Sequence, residues 1–154
     1  MENNPFIEGA IPAESIMEMV KKHSAKTEIG GHNIFLGQVR ADAKDGKEVE
    51  AIEFTAHQEM AIEKLAQIRE EIFAKYDLTC MHILHSLGTV EKGGICLVVF
   101  TSSKHRKPAM EACSELTERL KKELPVWGKE IYSDGSHHWK ENKQNSFYVV
   151  NQIL

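Results

Sequence analysis

The longest apolar run in this 154-residue chain is ICLVVF at 95–100, six residues long. A helix that crosses a bilayer needs roughly 20, so no helical membrane span is expected. A basic surplus is missing as well. Nineteen Lys and Arg stand against 23 Asp and Glu, a formal net charge of −4. Nucleic-acid affinity rests on neutralising phosphates. With aromatic residues at only 7%, there is also little to stack on bases, and no nucleic-acid partner is expected. Cysteine is sparse: Cys80, Cys96 and Cys113 are odd in number and widely spaced. That excludes a disulfide framework and a CxxC redox or metal pair. Free thiols of this kind are expected in or near the core.

The familiar catalytic signatures are absent too. The chain holds no HExxH, GxSxG, P-loop or GxGxxG, so zinc-hydrolase, serine-hydrolase, NTPase and dinucleotide readings lose their support. His82 and His85 fall in a strand-like stretch, where three-residue spacing turns them to opposite faces. His137 and His138 are adjacent and do not easily close on one ion. Neither a metal nor a cofactor is expected. The opening stretch MENNPFIEGAIP lacks the basic and apolar regions of a signal peptide, which makes the cytoplasm the expected compartment.

What is present suits one globular domain over residues 1–154, with 42% hydrophobic and 27% charged residues. The polar stretch from about residue 142 reads as a flexible tail. Short strands are expected at 7–11, 32–39, 49–56, 79–84, 95–101 and 129–132. From 49 to 56, Val49, Ala51, Glu53 and Thr55 should point one way, and Ile52 and Phe54 the other. Helices are expected at 12–23, with Ile16, Met19 and Val20 on one face, and at 58–75, with Ala61, Leu65, Ile68 and Ile72 inward. A third runs from about Pro108 to Leu124, with Ala109, Ala112, Cys113, Leu116 and Leu120 inward and Pro125 as its stop. RADAKDGKE at 40–48 and GTVEKGG at 88–94 read as turns or loops. The pattern predicts an α+β fold, a mixed or antiparallel sheet with helices packed on one side.

Basic residues gather at element boundaries. Ser102-Ser103-Lys104-His105-Arg106 joins a buried strand to a helix start, where amide N–H groups and the dipole favour anions. The same residues also read as a plain polar connection. Arg40 closes the strand NIFLGQVR, either as a bidentate anion ligand or as a surface charge. Lys121 sits at a helix end, a position that is favourable for the dipole alone. The residues by themselves outline a metal-free basic site built from Arg40, His105, Arg106, Lys121 and Lys129, suited to a small anion.

Five stretches carry a resemblance: FLGQVR at 35–40, IEFTAHQEMA at 52–61, HSLGTVEKGG at 85–94, TSSKHRKPAMEA at 101–112 and LKKELPVWGKE at 120–130. In order and spacing they resemble the large, catalytic subunits of molybdopterin synthase, the MoaE family. The resemblance implies an α/β-hammerhead-type domain with an added antiparallel subdomain, working as a homodimer within a heterotetramer. It implies a small ubiquitin-like carrier subunit as partner, with a thiocarboxylated Gly-Gly tail. The sulfur goes to cyclic pyranopterin monophosphate, giving the dithiolene of molybdopterin. By the same resemblance Lys121 is the sulfur-transfer lysine. Phe35, Arg40, His105 and Arg106 bind substrate, and Lys143 stands near a family arginine that reaches the neighbouring subunit's site.

The chain departs from the family at three positions. Relatives commonly carry a second functional lysine immediately after the tryptophan, where this chain has Gly128. In an extended strand Lys129 faces the other way, so it is the expected replacement only if a bulge at Gly128 turns it inward; Lys140 and Lys143 are the other candidates. The usual HR after the central strand and the Glu after the loop Gly are altered at Ser86 and Gly94. The loss at Gly128 keeps a second reading open: a family-like scaffold that binds the carrier or the pterin phosphate with little turnover.

Overall fold

The computed structural model describes residues 4–140. The segment read as a tail, and Lys143 with it, lies outside the described residues. In chain order the elements are β1 (Phe6–Glu8), α1 (Ala13–His23), β2 (Gly31–Gln38), β3 (Ala43–Lys44), β4 (Lys47–Ala56), α2 (Gln58–Lys75), β5 (Cys80–Glu91), β6 (Ile95–Ser103), α3 (Arg106–Glu123), β7 (Val126–Tyr132) and β8 (His137–Trp139). The strands form a mixed sheet in the order β2-β6-β5-β4-β7-β8. All pairings are antiparallel except β1 on β5. The expected α+β architecture is the one observed, and β3, β4, β7 and β8 make its antiparallel extension. Among the described residues no helix is long and apolar enough to cross a membrane.

β5 organises the sheet. Its first half pairs with β6, from Cys80 opposite Ser102 to His85 opposite Leu97. Its second half pairs with β4, from Gly88 opposite Phe54 to Glu91 opposite Ala51. The stretch expected as a loop at 88–94 is therefore strand as far as Glu91. Val90 explains the difference. It is fully buried, in a cluster with Val39, Val49, Ile52 and Tyr132, and burying such a side chain contributes about 1.5–3 kcal/mol. That gain outweighs the loop preference of its polar neighbours.

The alternation expected along β4 holds from Ala51 onward and fails at Val49. The register shifts between Val49 and Ala51, so Glu50 is an extra residue. A bulge of this kind swaps faces, and Val49 joins Ile52 rather than Ala51.

The larger core lies under α2 and α3. Ile68 and Ile72 of α2 and Ala112, Cys113, Leu116 and Leu120 of α3 pack on Met81, Ile83, Leu97 and Val99 of the sheet. All are residues that the helical and strand periodicities turn inward. α3 begins at Arg106, two residues before Pro108, which sits in the first turn where no intrahelical N–H is needed. α1 departs from the one-sided arrangement. Its last residue, His23, rests on His82 and Phe100, which alternate with the residues of the larger core and so face the other way. The stripe expected to anchor α1 is only partly covered: Val20 is 39% exposed, and the neighbouring Met17 is 60% exposed.

Candidate active site

Arg40 follows the end of β2. The buried Val39 before it is pinned on both sides, its N–H on the Gly94 carbonyl and its carbonyl accepting from Gly93. The Arg40 side chain is exposed and donates twice to Asp42, Nε to Oδ1 at 2.6 Å and Nη2 to Oδ2 at 3.1 Å. Exposed pairs of this kind contribute little to stability. The pairing instead holds the guanidinium in one orientation, and it draws the Asp42 carboxyl below its usual range. Lys140 acts on Asp42 in the same direction, more weakly.

Lys121 occupies the last turn of α3, where a cation suits the exposed carbonyl ends. Two groups feel its charge. One is His85 on β5, held edge-on by Phe54 and Phe6, with Nδ1 donating to the Ser86 carbonyl at 2.8 Å. Burial lowers the pKa of this imidazole and Lys121 lowers it further, so His85 is neutral. The other is the Cys96 thiol, which burial pushes up against the opposing pull of Lys121 and Lys140. Cys96 is thus a protonated thiol close to two ammonium groups, a poor nucleophile.

Gly128 lies opposite Phe54 in the β4–β7 ladder, and the register runs without interruption from Thr55–Trp127 to Ala51–Ile131. The bulge that would turn Lys129 inward is therefore absent. Lys129 projects on the face of its ladder partners Glu53 and Trp139. Its Nζ lies 3.7 Å from Glu53 Oε1 and 5.7 Å from the centre of the Trp139 ring. The face that Gly128 leaves open is approached by another lysine. A Cβ on Gly128 would stand 3.6 Å from Lys140 Cδ, and the Lys140 N–H donates to the Gly128 carbonyl at 2.8 Å. The stem of Lys140 thus passes over the glycine. Lys140 links two pairings: it acts on Asp42, which Arg40 holds, and together with Lys121 on Cys96.

Phe35 lies on β2, the edge strand of the main path, opposite Val99. It is 36% exposed and its neighbour Leu36 is 44% exposed.

His105 and Arg106 are elsewhere. They open α3 beside Gly30, Lys104, Lys107 and Met110, around a surface basin of about 640 Å³. Ser103 builds this corner: its hydroxyl donates to the His105 carbonyl and accepts from the Ala109 N–H. Gly30 closes it, since a Cβ there would sit 2.1 Å from the Lys104 carbonyl oxygen. Arg106 and Lys121 are fifteen residues apart on one helix, about 22 Å at 1.5 Å per residue. One chain therefore carries two basic clusters at opposite ends of α3, and not the single pocket that the sequence outlines.

A family model described as "MoaE protein" matches residues 8–123, well over half of the chain. The chain belongs to the MoaE family. Among its relatives, molybdopterin synthase catalytic subunit 1 of Aedes aegypti is 41% identical over 121 residues, covering 77% of each chain. The molybdopterin synthase catalytic subunit of Bacillus subtilis is 34% identical over 148 residues, covering 96% of this chain and 91% of its own. The crystal structure of molybdopterin synthase from Staphylococcus aureus superposes with a TM-score of 0.79 at 32% identity, over 92% of this chain and 99% of that one. A structure described as the complex of subunits 1 and 2 of a molybdopterin-converting factor from Helicobacter pylori shares the fold, with a TM-score of 0.76 at 18% identity. Membership of the MoaE family places this chain in the enzyme family of molybdopterin synthase catalytic subunits.

Sequence reasoning offered Lys140 only as one of two alternatives to Lys129, and treated His85 only as a failed metal ligand. Nothing local marks either. The first depends on β8 folding back on β7, and the second on which strand face α3 covers.

Proposed function

We propose that this MoaE-family protein transfers sulfur from the C-terminal thiocarboxylate of a small ubiquitin-like carrier subunit to cyclic pyranopterin monophosphate, making the dithiolene of molybdopterin. The observation that carries this reading is a protonated, half-buried Cys96 within the influence of Lys121 and Lys140, with Lys140 also acting on Asp42, the partner of Arg40. Such a site offers cations to a phosphate and to a thiocarboxylate, and no activated thiol of its own, so the sulfur has to arrive on a partner. Each transfer is an exchange without redox change: the acceptor carbon gains sulfur and gives up an oxygen, and the carrier leaves as a carboxylate. Lys121 is the transfer lysine, stabilising the negative charge that develops at the reacting carbonyl. Lys140, lying over Gly128, takes the part of the second lysine in preference to Lys129, which Glu53 and Trp139 hold on the opposite face.

The 22 Å between Arg106 and Lys121 bears on assembly. Substrate contact by both clusters requires a second copy of the chain, with His105 and Arg106 of one protomer completing the Lys121 site of the other. The open edge of β2, with Phe35 and Leu36 outward, is a surface on which two copies could meet. A carrier on each protomer would then make the heterotetramer, a two-subunit assembly of the kind described for the Helicobacter pylori protein.

The test combines the protein, thiocarboxylated carrier and cyclic precursor, and follows dithiolene-bearing pterin. Lys121→Ala is expected to slow product formation about a hundredfold or more while retaining carrier binding. Lys140→Ala is expected to slow it more than Lys129→Ala. Carrier binding without product from the unaltered protein would favour the scaffold reading, for which the missing lysine at 128 is the specific argument.

A further inference from the structure

On the sheet face opposite the larger core, three side chains from distant parts of the chain converge. His23 is the last residue of α1, and Cys80 and His82 stand two apart at the start of β5, which puts both on one strand face. The two histidine Nε2 atoms are 2.9 Å apart. One ligating atom from each ring and the Cys80 sulfur all lie within 4.8 Å of one another. His23 and Cys80 are buried and His82 is half-buried.

The hydrogen bonding around the rings defines their chemistry. His23 Nδ1 lies 2.6 Å from the Met19 carbonyl, which can only accept, so Nδ1 carries the proton. In the neutral ring Nε2 then presents a lone pair to His82. An imidazole fixed in this way by a backbone carbonyl is the usual outer-shell arrangement of a metal-bound histidine. Two imidazoles and a thiol are the donor set of a zinc site.

We propose that His23, Cys80 and His82 bind a thiophilic divalent ion, Zn2+ before others, with water as the fourth ligand. Tetrahedral Zn–N and Zn–S bonds of about 2.0–2.3 Å place ligand atoms about 3.3–3.8 Å apart. The two rings separate slightly to reach that spacing and the sulfur closes in. The proton between the rings moves to His82 Nδ1 by tautomer exchange, and the thiol proton leaves to solvent. The exposed Lys26, whose Nζ lies 3.0 Å from Cys80 Sγ, gives up the sulfur and swings outward. The ion ties the end of α1 to β5, where apolar cover is thin. This site is separate from the sulfur-transfer reading and does not depend on it.

The experiment uses the full chain, reduced with a phosphine and stripped of metal, titrated with Co2+ as a spectroscopic stand-in. One equivalent is expected to give a thiolate-to-metal charge-transfer band that one equivalent of Zn2+ removes. Cys80→Ser should abolish the band, and should weaken Zn2+ at least about tenfold in competition with a chromophoric chelator. His82→Gln should weaken it similarly, while Cys96→Ser and Cys113→Ser change neither. Lys26→Met alters only an exposed side chain and removes the competing ammonium, so it should tighten Zn2+ several-fold. A band that survives Cys80→Ser, binding without any thiolate band, or weaker binding in Lys26→Met would each overturn the site. Attachment through the exposed His137–His138 pair would show itself as binding without the band.

Discussion

A single imidazole shows how position rewrites a residue. His85 sits between two phenyl rings beneath a lysine. Its folded pKa lies below the ordinary value of 6.5. As the pH falls, the unfolded chain therefore binds the proton first. The stability contributed by the neutral ring is complete above about 6.5 and is lost as the pH drops below it, toward the lower folded value. His85→Gln keeps a donor for the Ser86 carbonyl and removes the titration. Its urea midpoint is expected to fall less than that of the unaltered protein between about pH 7.5 and about pH 5.5. An equal fall in both would show that His85 titrates in the same way folded and unfolded. Gly128 teaches the complementary lesson. As a departure from the family pattern it was legible in the sequence, but its consequence was not. Which lysine passes over it depends on a β-turn at 132–135 and on the β7–β8 ladder beyond, neither of which strand parity alone supplies.

At the scale of elements, the helices were the readable part. The stripes of α2 and α3 have the 3.6-residue period that one-sided burial imposes, and every residue named for them is buried. The strands were harder to read where burial depends on partners far away in sequence. The polar end of β5 pairs only because β4 lies beside it, and Val49 changes face because of one extra residue. The Cys80–His82 pair was also open to view, since an i, i+2 spacing in a strand is a shared face. Its third member, 57 residues earlier on a helix end, was not. The start of α3 gives an element-scale prediction. Ser103 is fully buried and its hydroxyl serves both the His105 carbonyl and the Ala109 N–H. Ser103→Ala leaves that amide without its acceptor, and should cost about 1–2 kcal/mol in chemical denaturation. If His105 and Arg106 hold the pterin substrate as proposed, it should also raise KM more than it lowers kcat, because it loosens the backbone that presents them. An unchanged denaturation midpoint would mean that water replaces the hydroxyl.

The whole molecule has an acidic balance and two basic clusters held apart by a rigid helix. That separation makes the proposed trans arrangement testable by mixing. Arg106→Ala and Lys121→Ala are each expected to be nearly inactive as homodimers. When the two are unfolded together and refolded as mixed dimers, one site in each heterodimer regains both residues. With random pairing, roughly a quarter of the unaltered activity should return. If both residues serve a site within one chain, no activity returns on mixing.

β5 carries a last consequence for how the molecule comes apart. One half of this strand belongs to the ladder with β6 and the other half to the ladder with β4, so the two parts of the sheet share a single length of backbone. Neither part can melt without stripping the partner strand from the other. The fold has no seam, and cooperative loss of all structure at once is the expected behaviour. Tryptophan fluorescence, which reports on Trp127 and Trp139 in the β7–β8 region, and far-ultraviolet circular dichroism, which reports mainly on the helices, should trace one coincident transition. Two separated midpoints would reveal that the antiparallel extension is an independent folding unit.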